Sequence, residues 1–241
     1  MAHYFDGENY VGEHMGVKYR LPRDDDAENP REAEDGWLGT MACEHGRYKL
    51  GDEGGTGLLT DAIRASAQYR DGWENDGSYG GRNPNAYVGD ASEVSGIVKM
   101  LPRLRDVIYL PLYLYDHSGI TMNTTGFSCR WDSGQVGFIF VTAADVFKEY
   151  ADEIKHYKKP MLSVALRATV LERLKAEVSV YDHFLTGQIY SWEVGEESVS
   201  GYYGDQSAAE GAETYIESLS DEDRAALIAA QAEGDQEEAD G

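Results

Sequence analysis

A chain of 241 residues with 41% hydrophobic side chains and seventeen tyrosines can build a real apolar core, which excludes global disorder. Forty-four acidic against twenty-one basic residues give a formal net charge of −23, a surface that repels nucleic-acid phosphate and excludes ordinary DNA or RNA binding. Two cysteines are too few for a disulfide scaffold, no apolar leader follows Met1, and no run reaches the ~18 apolar residues of a membrane span, so free thiols in a reducing cytoplasm are expected.

The charge itself has three readings. A solvated acidic surface keeps a protein dissolved and apart from its neighbours. Eight lysines against thirteen arginines also fit adaptation to high salt, as in halophiles. Rows of carboxylates can, finally, imitate a polyanion and fill the basic groove of a DNA-binding partner.

Residues 1–36 are rich in Gly, Asp and Glu, include Asp24-Asp25-Asp26 and two prolines, and read as an irregular acidic arm with one short strand near Val17–Leu21. Trp37 to Leu50 reads as a strand followed by a turn at His45-Gly46, and Gly51 to Gly57 as a loop. Thr60-Asp61 caps a short helix to Tyr69, in which Leu59, Ile63 and Ala67 repeat at helical spacing. Asp71 to Asp90 is dense in Gly, Asn and Asp and reads as a long loop. Ser92 caps a helix to Leu104, with Val94, Ile97, Val98 and Leu101 on one face.

Val107 to Tyr115 is the best strand, and Pro111 within it calls for an edge or a bulge. Val136 to Thr142 is the second, after which Thr142 caps a helix through about Lys155. Pro160 opens the longest helix, Met161 to about Phe184, with an apolar stripe of Leu162, Leu166, Val170, Leu174, Val178 and Tyr181. Gln188–Val194 and Ser198–Tyr203 form a hairpin. Beyond Ser207 the composition turns to Ala, Glu and Asp, with a weak helix over Asp221–Ala232 and nine final residues expected to be disordered. The expected class is α+β: one domain with a mixed or antiparallel sheet packed by two to four helices. It spans 37–204, between the acidic arm (1–36) and an acidic helical or disordered tail (205–241).

Four blocks carry a resemblance. They are Asn29-Pro30-Arg31-Glu32 with Leu38-Gly39-Thr40-Met41-Ala42-Cys43-Glu44-His45 and Tyr48-Lys49-Leu50-Gly51-Asp52; Leu110 to Met122 (LPLYLYDHSGITM); Trp131 to Ile139 (WDSGQVGFI); and Ala176-Glu177-Val178 with Tyr181-Asp182 and Leu185-Thr186-Gly187. In this order the chain resembles an uncharacterised family found in phages, plasmids and other mobile elements of bacteria and archaea, over roughly residues 29–204. The Gly-rich stretch 71–90 and the acidic tail depart from that pattern. The resemblance implies context rather than chemistry: an accessory protein acting in the host cytoplasm, with a haloarchaeal virus or plasmid as the source that suits the acidity.

Reactive side chains crowd the gap between the two best strands. His117, Cys129 and Asp132 supply the base, nucleophile and orienting acid of a cysteine hydrolase. Asp116, Ser118, Trp131, Ser133 and Gln135 line the same stretch as candidate binding residues, and the Ser118-Gly119 and Ser133-Gly134 pairs offer backbone donors to an oxyanion. Cys43, His45, His117 and Cys129 contain the two thiolates and two imidazoles of a tetrahedral zinc, although no CxxC pair is present and no cofactor is otherwise expected. The plain alternative is turn chemistry: Asp116 and Asp132 bond nearby amides, Trp131 and the tyrosines bury beneath the loop, and His117 ties its ends. The glycine-rich segments Gly54–Gly57 and Tyr79–Arg82 lack the Lys-Ser/Thr ending of a phosphate loop. The leading expectation is therefore a non-catalytic accessory protein that binds a host or viral protein, through anti-defence action or DNA mimicry. A small Cys/His hydrolase or metal protein, and a virion or assembly component, are the alternatives.

Overall fold

The computed structural model describes residues 3–33, 36–55, 57–58, 106–155 and 162–239. The helices expected over 60–69 and 92–104, the loop over 71–90 and the Pro160 start of the long helix lie outside them. The fold is α+β, with two sheets, both antiparallel, and six helices among the described residues. Contacts group the chain into two compact units, residues 29–182 and residues 1–28 with 183–241. Composition placed its boundaries at 36/37 and 204/205 instead. It could not register that the N-terminal strands pair with a strand some 170 residues away (Arg20 opposite Glu193).

In residues 29–182 the sheet order is β4-β7-β5-β6, from Thr40–Cys43 (β4), Val107–Asp116 (β5), Ile120–Asn123 (β6) and Ser133–Thr142 (β7). β7 is buried without a break from Val136 to Val141, as a strand covered on both faces must be. Gly137 is required there, because a Cβ would sit 2.1 Å from the Ala42 carbonyl oxygen of β4. Pro111 is accommodated as its chemistry demands. It lies opposite Phe138 of β7, while pairing with β6 begins only at Tyr113, beside a register shift at Leu112/Tyr113.

Thr142 ends β7 and caps the next helix, accepting from the Asp145 amide. The single helix expected to Lys155 is broken at Tyr150 into α2 (Ala143–Glu149) and α3 (Ala151–Ile154); α1 is the short Pro30–Ala33 turn. The long helix α4 runs Val164–Leu185, with the Ser163 hydroxyl accepting from the Leu166 amide at its start. Its buried face is the expected stripe from Leu166 to Tyr181, with one acid added, Glu177. Each such aliphatic side chain taken out of water stabilises by about 1.5–3 kcal/mol. Leu174 and Ile139 converge over Gly39, where a Cβ would lie about 2.5 Å from either.

In the other unit the strand expected at Val17–Leu21 (β3) is present, and the rest of the expected irregular arm adds two more, Tyr4–Phe5 (β1) and Tyr10–His14 (β2); the sheet continues into Ile189–Val194 (β8) and Glu197–Tyr203 (β9). Strict alternation in β3 sends Val17, Tyr19 and Leu21 inward, against Tyr190, Trp192 and Val194 of β8. Helix α5 (Asp205–Ser218) closes this core with Ile216 and with Ala208, Ala209 and Ala212, small residues that let the helix approach the sheet closely. Carboxylates near the two ends of α5 meet imidazoles of the strands, His3 with Asp205 at 2.6 Å and His14 with Glu217 at 3.1 Å. Helix α6 spans Asp221–Ala239, so the tail is helical well past Ala232. Gln231 clamps Lys18 through both backbone groups (2.9 and 2.8 Å), as a neighbouring strand would.

Candidate functional site

The sheet of residues 29–182 ends in two tight connections on the same edge of β5 and β7. One is the β5–β6 turn, where Ser118 adopts φ 58° beside Gly119. The other is the loop 124–132 between β6 and β7. Asn123 starts that loop as an Asx turn, its Oδ1 accepting from the amides of Thr125 and Gly126 (3.0 and 2.7 Å). The Ser133 hydroxyl closes the far end on the Cys129 carbonyl, and the Asp116 amide donates to the Asp132 carbonyl at 2.8 Å. The loop is thus pinned at both feet.

The three hydrolase candidates do converge, but in an order that does not suit catalysis. Asp132 Oδ2 accepts from the Cys129 thiol at 3.4 Å and lies 3.6 Å from His117 Nδ1. The carboxylate therefore stands between sulfur and imidazole, whereas a nucleophile–base–orienter chain needs it behind the imidazole. The His117 side chain is 63% exposed, in open solvent rather than a cleft. Ser118 and Ser133 are committed to the turn and the loop foot, and Gln135 donates to the Gly137 carbonyl at 3.3 Å.

Trp131 overturns the expectation that it buries beneath the loop. It is 96% exposed, and Tyr115 packs instead with Phe127, the rings tilted at 5.5 Å. Asp116 is held from the irregular segment that follows β4. Arg47 pairs with its carboxylate and Tyr48 donates to it at 3.2 Å, while the Tyr48 ring stacks on His45 and lies under the Arg47 guanidinium. The Tyr48-Lys49-Leu50 block signalled this segment, but nothing in its spacing pointed to Asp116.

The zinc set is not assembled. Among the described residues no group of three or more His, Cys, Asp or Glu is placed to hold a metal. Cys43 ends β4 inside the core at 5% exposure, and His45 lies beyond the strand, where the two-residue alternation no longer applies. Burial, and secondarily the Asp52 carboxylate, push the Cys43 thiol up to about 12, against a partial pull from Arg31. A thiol held protonated is a poor metal ligand.

Two expectations follow. Both cysteines are free, and Cys129 is the more exposed, so a thiol probe is expected to label it well ahead of Cys43; equal slow labelling would contradict this placement. The second concerns alkali. The folded state keeps the Cys43 proton longer than the unfolded chain does. That contribution is therefore fully present below the ordinary value of 9.0 and is lost as pH rises toward about 12. Tyr19, raised by burial and Glu213 from 10.0 to about 12, acts in the same direction. Unfolding free energy measured in urea should fall between pH 9 and 12, less steeply in Cys43→Ala; a flat profile in the parent chain would sink the assignment.

The strongest polar construction in this unit lies away from the loop. Arg31, its side chain 2% exposed, forms a two-pronged pair with Asp52 (Nε and Nη2, both 2.7 Å) and donates to the Gly39 carbonyl at 2.6 Å. Its Nη1 lies 3.6 Å from Glu177, which accepts from the amides of Leu38 and Gly39 at 2.8 and 2.9 Å. Asp52 also accepts from the Met41 amide, and the Gly51 amide donates to the Tyr181 hydroxyl. An acid at position 177, on the apolar face of α4, was the available signal: a carboxylate there has to have partners. Beside it, an open apolar depression of about 560 Å3 runs along Trp37, Ala176 and Val180; His117, Cys129 and Asp132 are not among its lining residues.

No family model, curated protein or solved structure matches this chain. No helix among the described residues is long and apolar enough to cross a membrane.

Proposed function

We propose that this chain is a non-catalytic accessory protein of a virus or mobile element, and that it acts by seating Trp131 in a pocket of a host or viral protein. The observation that carries the reading is Trp131 itself, 96% exposed in the closing turn of the 124–132 loop, between Cys129 and Ser133, which are hydrogen-bonded to each other. Apolar area is not left in water on a rigid support without a disadvantage for solubility, and tryptophan and arginine are the residue types that dominate binding energy at interfaces. Arg130 stands exposed beside it. A loop held in advance loses little conformational freedom when the partner arrives.

The −23 charge supports the choice of partner class, since it favours encounter with a basic protein, as in DNA mimicry. That component should weaken as salt is raised toward 1 M, where the screening length falls to about 3 Å. The test is capture from the natural host with the parent chain and Trp131→Ala side by side, read by mass spectrometry. A partner retained by the parent and lost by the variant supports the reading; identical captures contradict it.

A further inference from the structure

The β2–β3 hairpin turns through Met15-Gly16, with His14 paired to Val17 and φ of 52° and 83° at the two central residues. Positive φ at both positions is the type I′ turn, for which Asn-Gly is the unstrained choice. A methionine in that conformation is strained, and strain retained at one residue points to a use for its side chain. Met15 is 52% exposed, and its sulfur lies 3.1 Å from Arg224 Nη1 of α6. The guanidinium is itself anchored at the start of that helix, to the Leu219 carbonyl at 2.9 Å and to Asp221 at 3.3 Å, and its buried Nε has no hydrogen-bond partner. A thioether is a weak acceptor, so a cation fixed on it is poorly used.

We infer that Met15 is a site of oxidation by peroxides, and that Arg224 receives the oxygen of the resulting sulfoxide, fastening the hairpin turn to α6. The sulfur lone pair attacks one peroxide oxygen, an S–O bond forms, and the O–O bond breaks. The second oxygen leaves as water with the peroxide's protons. Sulfur is oxidised by two electrons and peroxide is reduced by two. The product is a strongly polar S=O acceptor in place of a weak one, on a side chain already outside the core and facing a fixed guanidinium. Met41 and Met122, 0% and 1% exposed, are closed to the same reaction.

The experiment treats the full chain with limiting hydrogen peroxide, maps peptides by mass spectrometry and measures thermal unfolding, with Met15→Leu and Arg224→Lys and Arg224→Ala in parallel. Met15 is expected to gain oxygen well before Met41 and Met122. Oxidation should raise the melting temperature of the parent by about 2–4 °C, the scale of one charge-assisted bond in a chain of this size. Met15→Leu should show no such rise, Arg224→Ala should lose it, and Arg224→Lys, which keeps the charge, should retain part of it. The inference is overturned if Met15 reacts no faster than the buried methionines, if oxidation of the parent leaves the melting temperature unchanged or lowers it, or if the rise survives in Met15→Leu or Arg224→Ala.

Discussion

Arg31→Ala is expected to destabilise the unit of residues 29–182 by about 3–5 kcal/mol, the cost of leaving buried carboxylates without their cation. Two acids depend on that guanidinium: Asp52, bonded at both prongs, and Glu177, whose side chain is 6% exposed. Both carboxylates also hold backbone amides, so the loss reaches the chain at Leu38, Gly39 and Met41. Arg31→Lys should recover little of it, because one ammonium cannot serve two oxygens of Asp52, the Gly39 carbonyl and the Trp37 ring 5.0 Å away. Glu177→Gln should fall between, keeping one acceptor for the two amides. Urea unfolding followed by circular dichroism gives the order. A loss below about 1 kcal/mol for Arg31→Ala would mean that the network does not organise the unit.

Trp131→Ala is expected to behave in the opposite way. The side chain is almost wholly in solvent, so its removal should move stability by no more than about 0.5 kcal/mol. Partner affinity should drop by about 2 kcal/mol or more, roughly thirtyfold, as for a central aromatic anchor. The separation matters, because a variant that lost binding by unfolding would show it first in the melting curve.

What could be read from the sequence tracks how local the cause is. The strands at 107–116 and 133–142, the stripe of α4 and the Thr142 cap follow from alternation, helical spacing and one hydroxyl, all within a few residues. The alternation of Val17–Leu21 was legible, but β1 and β2 were hidden, because acid and glycine content masks such short strands, and the sheet is completed by β3 pairing with β8 far along the chain. The convergence of His117, Cys129 and Asp132 was legible from the two strands that flank them. Their order was not, because it depends on the loop conformation, which brings one oxygen of Asp132 to both the thiol and the imidazole. The burial of Trp131 was misjudged for a similar reason: the loop brings Phe127, not Trp131, beside Tyr115. Arg31 and Asp52 lie in separate segments of the first block of the resemblance and Glu177 in the fourth, and only the fold brings them together.

The most direct test compares partner binding by the parent chain, Trp131→Ala and Cys129→Ser under one salt condition. A binder that works through its exposed tryptophan should lose about thirtyfold in affinity with Trp131→Ala and stay within about threefold of the parent with Cys129→Ser. Full binding by Trp131→Ala, or loss of the biological effect with Cys129→Ser alone, would place the function at the thiol and contradict the account.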